Sequence, residues 1–141
     1  MATALNTQPI YTASGDTQWS VSGITANTTK DLTAGTSYLV FTAGSSGGYV
    51  QRIRFVPLGT NVATVARVWI NNGSTTATQA NNTFWDNISL PATTNSETSA
   101  LPVYELPLNF ALPPGYAILA NASTTATANT GWVATVFGGA Y

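Results

Sequence analysis

The chain has 141 residues, 4 of them basic and 5 acidic, with no histidine, no cysteine and a formal net charge of −1. Charged residues make up 6% of it, against about 25% in an ordinary soluble domain. Four cations, Lys30, Arg52, Arg54 and Arg67, form no basic stripe for nucleic acid or an anionic membrane, and the missing residue types remove His-based triads, His-ligated metals, thiol nucleophiles and disulfides.

Such a surface is polar but almost uncharged, so little repulsion keeps copies apart. A place in an assembly follows, unless the chain is a secreted β-domain kept soluble by hydroxyls and amides. The N-terminal MATALNTQPIYTASG has neither a basic n-region nor an apolar h-region, and no stretch approaches the roughly 18 to 20 apolar residues that span a bilayer. Synthesis in the cytosol is the expectation.

Residues Met1 to Gln18 carry few large apolar side chains and no sustained period, and read as an extended N-terminal arm. Its gripping residues would be Leu5, Pro9, Ile10 and Tyr11. The arm is either a clamp between subunits or a terminus without a role. A sandwich domain over residues 19–141 follows, with strands at regular spacing separated by Gly, Asn, Thr and Pro.

A short strand is expected over Gln18 to Val21, and a clearer one over Ser37 to Thr42, apolar on both faces and so a candidate for burial on both sides. In Tyr49 to Leu58, period two places Tyr49, Ile53 and Phe55 on one face and Arg52 and Arg54 on the other. Thr64 to Asn71 alternates Ala66, Val68 and Ile70 with Arg67 and Trp69, and Asn72-Gly73 after it suits a tight turn. Thr83 to Leu90 sets Phe84, Ile88 and Leu90 against Trp85, Asn87 and Ser89, which leaves Asp86 on the apolar face.

Tyr104 to Phe110 puts Glu105 outward, and Pro107 marks that strand as an edge or a bulge. Leu112-Pro113-Pro114-Gly115 is a type II turn signal. Tyr116 to Asn121 and Gly131 to Gly138 complete about eight strands. The fold class is all-β, an antiparallel two-sheet jelly roll, with a seven-stranded Ig-like sandwich as the competitor.

No catalytic residue, metal site or cofactor is expected. The carboxylates Asp16, Asp31, Asp86, Glu97 and Glu105 are scattered, and no segment has the spacing of a calcium loop. Asp86 would be held by Arg52, Arg54 or Arg67, with Arg52 and Arg54 preferred, as a structural ion pair, or would reach water through local twist. Trp69 and Trp85, with Arg67, are candidates for a subunit contact, since Trp is enriched in interfaces. Alternatively both sheet faces are covered, or the inward face is inverted. Outward aromatics on a β-sandwich could also stack on sugar rings.

The runs PLGTNVATVARVWINNG at Pro57 to Gly73, ISLPATTNSE at Ile88 to Glu97, YELPLNFALPPGYAIL at Tyr104 to Leu119 and GWVATVFGGAY at Gly131 to Tyr141 resemble small structural proteins of tailed bacteriophages and prophages. The resemblance covers nearly all of the chain after Ile10. It implies a capsid decoration, or cement, protein with a jelly-roll body, made in the host bacterial cytoplasm and carried on the virion. Its partners would be two further copies in a homotrimer and the major capsid protein of the shell, with neither nucleic acid nor membrane bound. The runner-up moves the same fold to the phage tail or fibre, where Trp69, Trp85 or Tyr49 would bind host glycans.

Overall fold

Alternating side chains and turn residues produce eight strands: β1 (Ser14–Ser22), β2 (Tyr38–Thr42), β3 (Gly48–Pro57), β4 (Thr64–Asn71), β5 (Asn82–Leu90), β6 (Tyr104–Leu112), β7 (Ala117–Ala122) and β8 (Trp132–Ala140). The computed structural model describes residues 12–22, 25–125 and 131–141. All pairings between strands are antiparallel, and they build two four-stranded sheets in the orders β1-β8-β3-β6 and β2-β7-β4-β5. Every connection crosses between the sheets except that from β4 to β5, which are paired neighbours, and this is the winding of a jelly roll rather than of an Ig-like sandwich.

The core lies between the sheets. Val50, Ile53 and Phe55 of β3, Leu106, Leu108 and Leu112 of β6, and Trp132, Ala134 and Val136 of β8 meet Phe41, Ala66, Val68, Leu90, Ile118 and Ala120 of the facing sheet. Phe41 and Phe55 have no exposed surface, and removal of such a ring costs about 3–5 kcal/mol. The Pro-Pro-Gly turn forms as the sequence predicts. The N–H of Tyr116 donates to the carbonyl of Pro113 at 3.2 Å, and Gly115 takes φ +75°, a value that only glycine adopts cheaply at that turn position.

Three expectations change, two about faces and one about where the arm ends. A register shift between Val50 and Arg52 makes Gln51 an extra residue against β8, whereas against β6 the same residue faces two, Leu108 and Asn109. Tyr49 therefore falls on the face opposite Ile53 and Phe55, and Val50 takes the buried position. The strand buried on both sides is β7, all six residues of it. Strand β2 is a sheet edge with Leu39 exposed. The first ladder takes in Ser14 to Gln18 from the expected arm, pairing Ser14 with Ala140 and Gln18 with Val136. Leu5, Pro9, Ile10 and Tyr11 lie outside the described residues.

The two sandwich seams close differently. At one, Gln18 of β1 imitates a ladder rung: its Nε2–H donates to the Thr42 carbonyl and its Oε1 accepts from the Thr42 N–H, both at 2.9 Å. At the other, Trp85 of β5 packs on Phe110 of β6 with ring centroids 4.6 Å apart.

Candidate functional site

The outer faces of the two sheets carry the side chains that the core does not use, and they differ in kind. On the β2-β7-β4-β5 sheet the outward residues of β4 and β7 lie under the β1–β2 connection. Asn27, buried, is the knot of that connection. Its Nδ2–H donates to the carbonyls of Asp31 at 3.1 Å and Ala34 at 3.0 Å, and its Oδ1 accepts from the N–H and the hydroxyl of Thr29 at 3.1 and 2.6 Å. Its own N–H donates to the Ala122 carbonyl at 2.7 Å, which ties the loop to β7. Leu32 then packs with Trp69, Ala117 and Leu119 in a second, small apolar cluster.

Asp31 shapes the turn at the loop's tip. Its carboxylate accepts from the Thr29 hydroxyl at 3.2 Å and from the N–H groups of Thr33 and Ala34 at 3.1 and 3.4 Å. Desolvation pushes its pKa up, but the hydrogen bonds from Thr33, Thr29 and Ala34 outweigh it and hold the group below its ordinary 3.8.

Among the described residues the sheet β1-β8-β3-β6 has no such cover. Register sets its outward side chains in rows across the strands: Thr17, Phe137, Arg52, Pro107; then Trp19, Thr135, Arg54, Glu105; then Val21, Val133, Val56. Trp19 is 68% exposed, the most exposed of the large apolar residues among those described. The Arg52 guanidinium stands over the Phe137 ring, 4.6 Å from its centroid. Arg52 Nε and Arg54 Nε approach one Glu105 oxygen at 3.4 and 3.7 Å. Neither nitrogen has hydrogen-bond geometry to an acceptor, so the contact is electrostatic and, being half exposed, worth little.

These placements settle the expected site residues one by one. Arg67 and Trp69 are neighbours on the outward face of β4, but Trp69 is only 8% exposed beneath the loop. The alternative of a covered face therefore holds there, and Trp69 has no open face for a subunit or a sugar ring. Trp85 is separated from them. It is the extra residue where Val68 faces Asp86 and Trp69 faces Phe84, and the shift turns it toward the seam and Phe110 while 43% stays exposed. Tyr49 is half-buried and its hydroxyl donates to Asn109 Oδ1 at 3.3 Å.

The ion pair of Asp86 with Arg52 or Arg54 does not form. Asp86 is on the edge strand of one sheet and both arginines are on β3 of the other; Arg67, on the strand paired with that of Asp86, makes no ion pair with it either. Asp86 instead is exposed and accepts from the N–H of Asn87 at 2.7 Å. Glu105 is the partner, two strands' alternation having set it opposite Arg54. Its outward parity beside two outward arginines was visible in the sequence, whereas Trp19 and Phe137 became site residues only when β1, β8 and β3 were placed side by side.

The edges also differ. Strand β2 is short, register-shifted and capped by Gln18. Strand β5 is bulged at Trp85, and β6 carries Pro107 and an Asn109 with φ +54°. Strand β1 runs nine residues without a register shift, proline or cationic side chain, and its outer edge is turned toward β2 at the seam that Gln18 closes.

Among the described residues no cluster of His, Cys, Asp or Glu could hold a metal ion, and no helix is long and apolar enough to cross a membrane. No protein-family model, curated protein or solved structure matches the chain.

Proposed function

We propose that this chain is a structural virion protein of a tailed phage, which decorates the outer surface of the capsid as a homotrimer and stabilises the shell without catalysis. The observation that carries this is the outer face of the β1-β8-β3-β6 sheet, free of cover among the described residues and apolar at Trp19, Val21 and Phe137. A face of this kind suits protein contact, and an almost uncharged surface lets copies approach closely. A ring of three closes when this face of one copy meets a different patch on the next. Many weak contacts repeated over a lattice then hold adjacent capsomers through avidity. The partner is the major capsid protein, and the work is done on the virion after synthesis in the host cytoplasm. The sequence resemblance to phage decoration proteins supports the same reading.

The test combines light scattering with co-sedimentation on empty capsids of the source phage. The full chain, a chain lacking residues 1–11 and Trp19→Ser are compared; that truncation spares the β1 ladder. The expected result is a trimer that sediments with capsids, and loss of capsid binding in at least one of the two variants. A monomer that ignores capsids overturns the proposal.

A further inference from the structure

Of the chain's four cations, two share Glu105 on the bare face. The other two, Lys30 and Arg67, have no carboxylate partner among the described residues, and both line one pocket of about 300 Å³ together with Trp69 and Phe84. Lys30 comes from the loop and holds φ +61°, a left-handed conformation that a lysine rarely adopts. Arg67 comes from β4 and gives one N–H to the Asn27 carbonyl at 3.3 Å. Phe84 of β5 is 46% exposed and stands edge-to-face on Trp69, centroids 5.1 Å apart. The Trp69 Nε1–H is buried and has no acceptor among the described residues.

We infer that this pocket binds the carboxylate of an acidic sugar, a hexuronate or a related sugar acid, with Lys30 and Arg67 taking the charge and Phe84 taking the apolar face of the ring. Two unneutralised cations in a chain so poor in charge call for an anion. Arg supplies a planar fork matched to a carboxylate and Lys a mobile point charge. An aspartate or glutamate side chain would satisfy the cations but leave the Phe84 ring uncovered, whereas a pyranose carries an apolar C–H face beside its carboxylate. The volume sits at the lower end of small-ligand sites, which suits a single sugar unit. The pocket is on the sheet opposite the bare Trp19 face, so it does not depend on the capsid contact.

The experiment is a titration of the full-length, isotope-labelled protein with glucuronate, glucose and acetate. It follows the Trp69 indole N–H and the Lys30 and Phe84 amide signals, in the wild type and in Lys30→Asn. Asparagine removes the charge yet tolerates positive φ, so this variant keeps the loop; its thermal midpoint should match the wild type's. Expected are saturable shifts at those signals with a dissociation constant on the order of 1 mM, at least about tenfold weaker binding in Lys30→Asn, and weaker response to both glucose and acetate. Phe84→Ala, on an exposed ring, should weaken glucuronate but leave acetate unchanged. Equal response to glucose removes the role of the cations and equal response to acetate removes the role of the ring. Either of these, unchanged affinity in Lys30→Asn, or no saturable shift overturns the inference.

Discussion

Two tryptophans, Trp19 and Trp69, both point away from the sandwich core, yet one is 68% exposed and the other 8%. The difference lies above them rather than beneath. Over Trp69 lies the β1–β2 connection, tied down by Asn27 and Leu32; over Trp19 lies no described residue of the chain. The covered face is therefore part of the protein's own stability, with one charged pocket left at its rim, and the other face carries its apolar side chains without cover from any described residue.

Substitution at Trp69 should give the largest effect. Trp69→Ala empties the second cluster under Leu32 and is expected to cost about 3–5 kcal/mol, read as a lowered denaturant midpoint. Asn27→Ala should come next. It leaves the carbonyls of Asp31 and Ala34 without their donor and frees the loop, for about 2–3 kcal/mol, and amide hydrogen exchange should accelerate across residues 27–34 before the sandwich unfolds. An equal rate there would mean that the loop is held by Leu32 alone.

On the bare face the same chemistry should weigh less. Glu105→Gln removes the shared partner of Arg52 and Arg54, and since all three are substantially exposed the loss should stay under about 1 kcal/mol and shrink further in salt. Trp19→Ala should change monomer stability by no more than about 0.5 kcal/mol, in contrast to Trp69→Ala. A cost at Trp19 matching that at Trp69 would end the distinction between the two faces.

The smallest effect expected is that of pH on the loop tip. Asp31 is held below its ordinary 3.8 in the folded chain, so the unfolded chain binds the extra proton first as pH falls. Its contribution is complete above that value and is lost as pH drops through the lower, folded one. Asp31→Asn should flatten the stability curve in that acidic window and leave it unchanged near neutrality, as equilibrium unfolding at stepped pH would show.

Much of the fold is legible in the chain because its causes are local. Strand β4 over Thr64–Asn71 follows from alternation and flanking turn residues, and the turn at Gly115 follows from two prolines and a glycine. Where a strand gains one residue, parity fails. Gln51 moves Tyr49 to the other face and the extra Trp85 turns toward Phe110; no Gly or Pro announces the bulge at Trp85, and the Pro107 and Gly138 beside the other shift lie on the neighbouring strands rather than on β3. Glu105, Arg52 and Arg54 could be assigned to one side but not to one another, because pairing is decided by which strands become neighbours.

The sequence by itself determined an all-β sandwich of eight strands, their approximate limits, most inward side chains and the absence of histidine and cysteine chemistry, since an extended backbone alternates its side chains whatever surrounds it. Only the tertiary structure decided which outward face is covered. That choice rests on contacts between segments far apart in the chain, Leu32 on Trp69 and Asn27 on Ala122, and burial of one surface by a distant loop leaves no trace in the period of the strand beneath it.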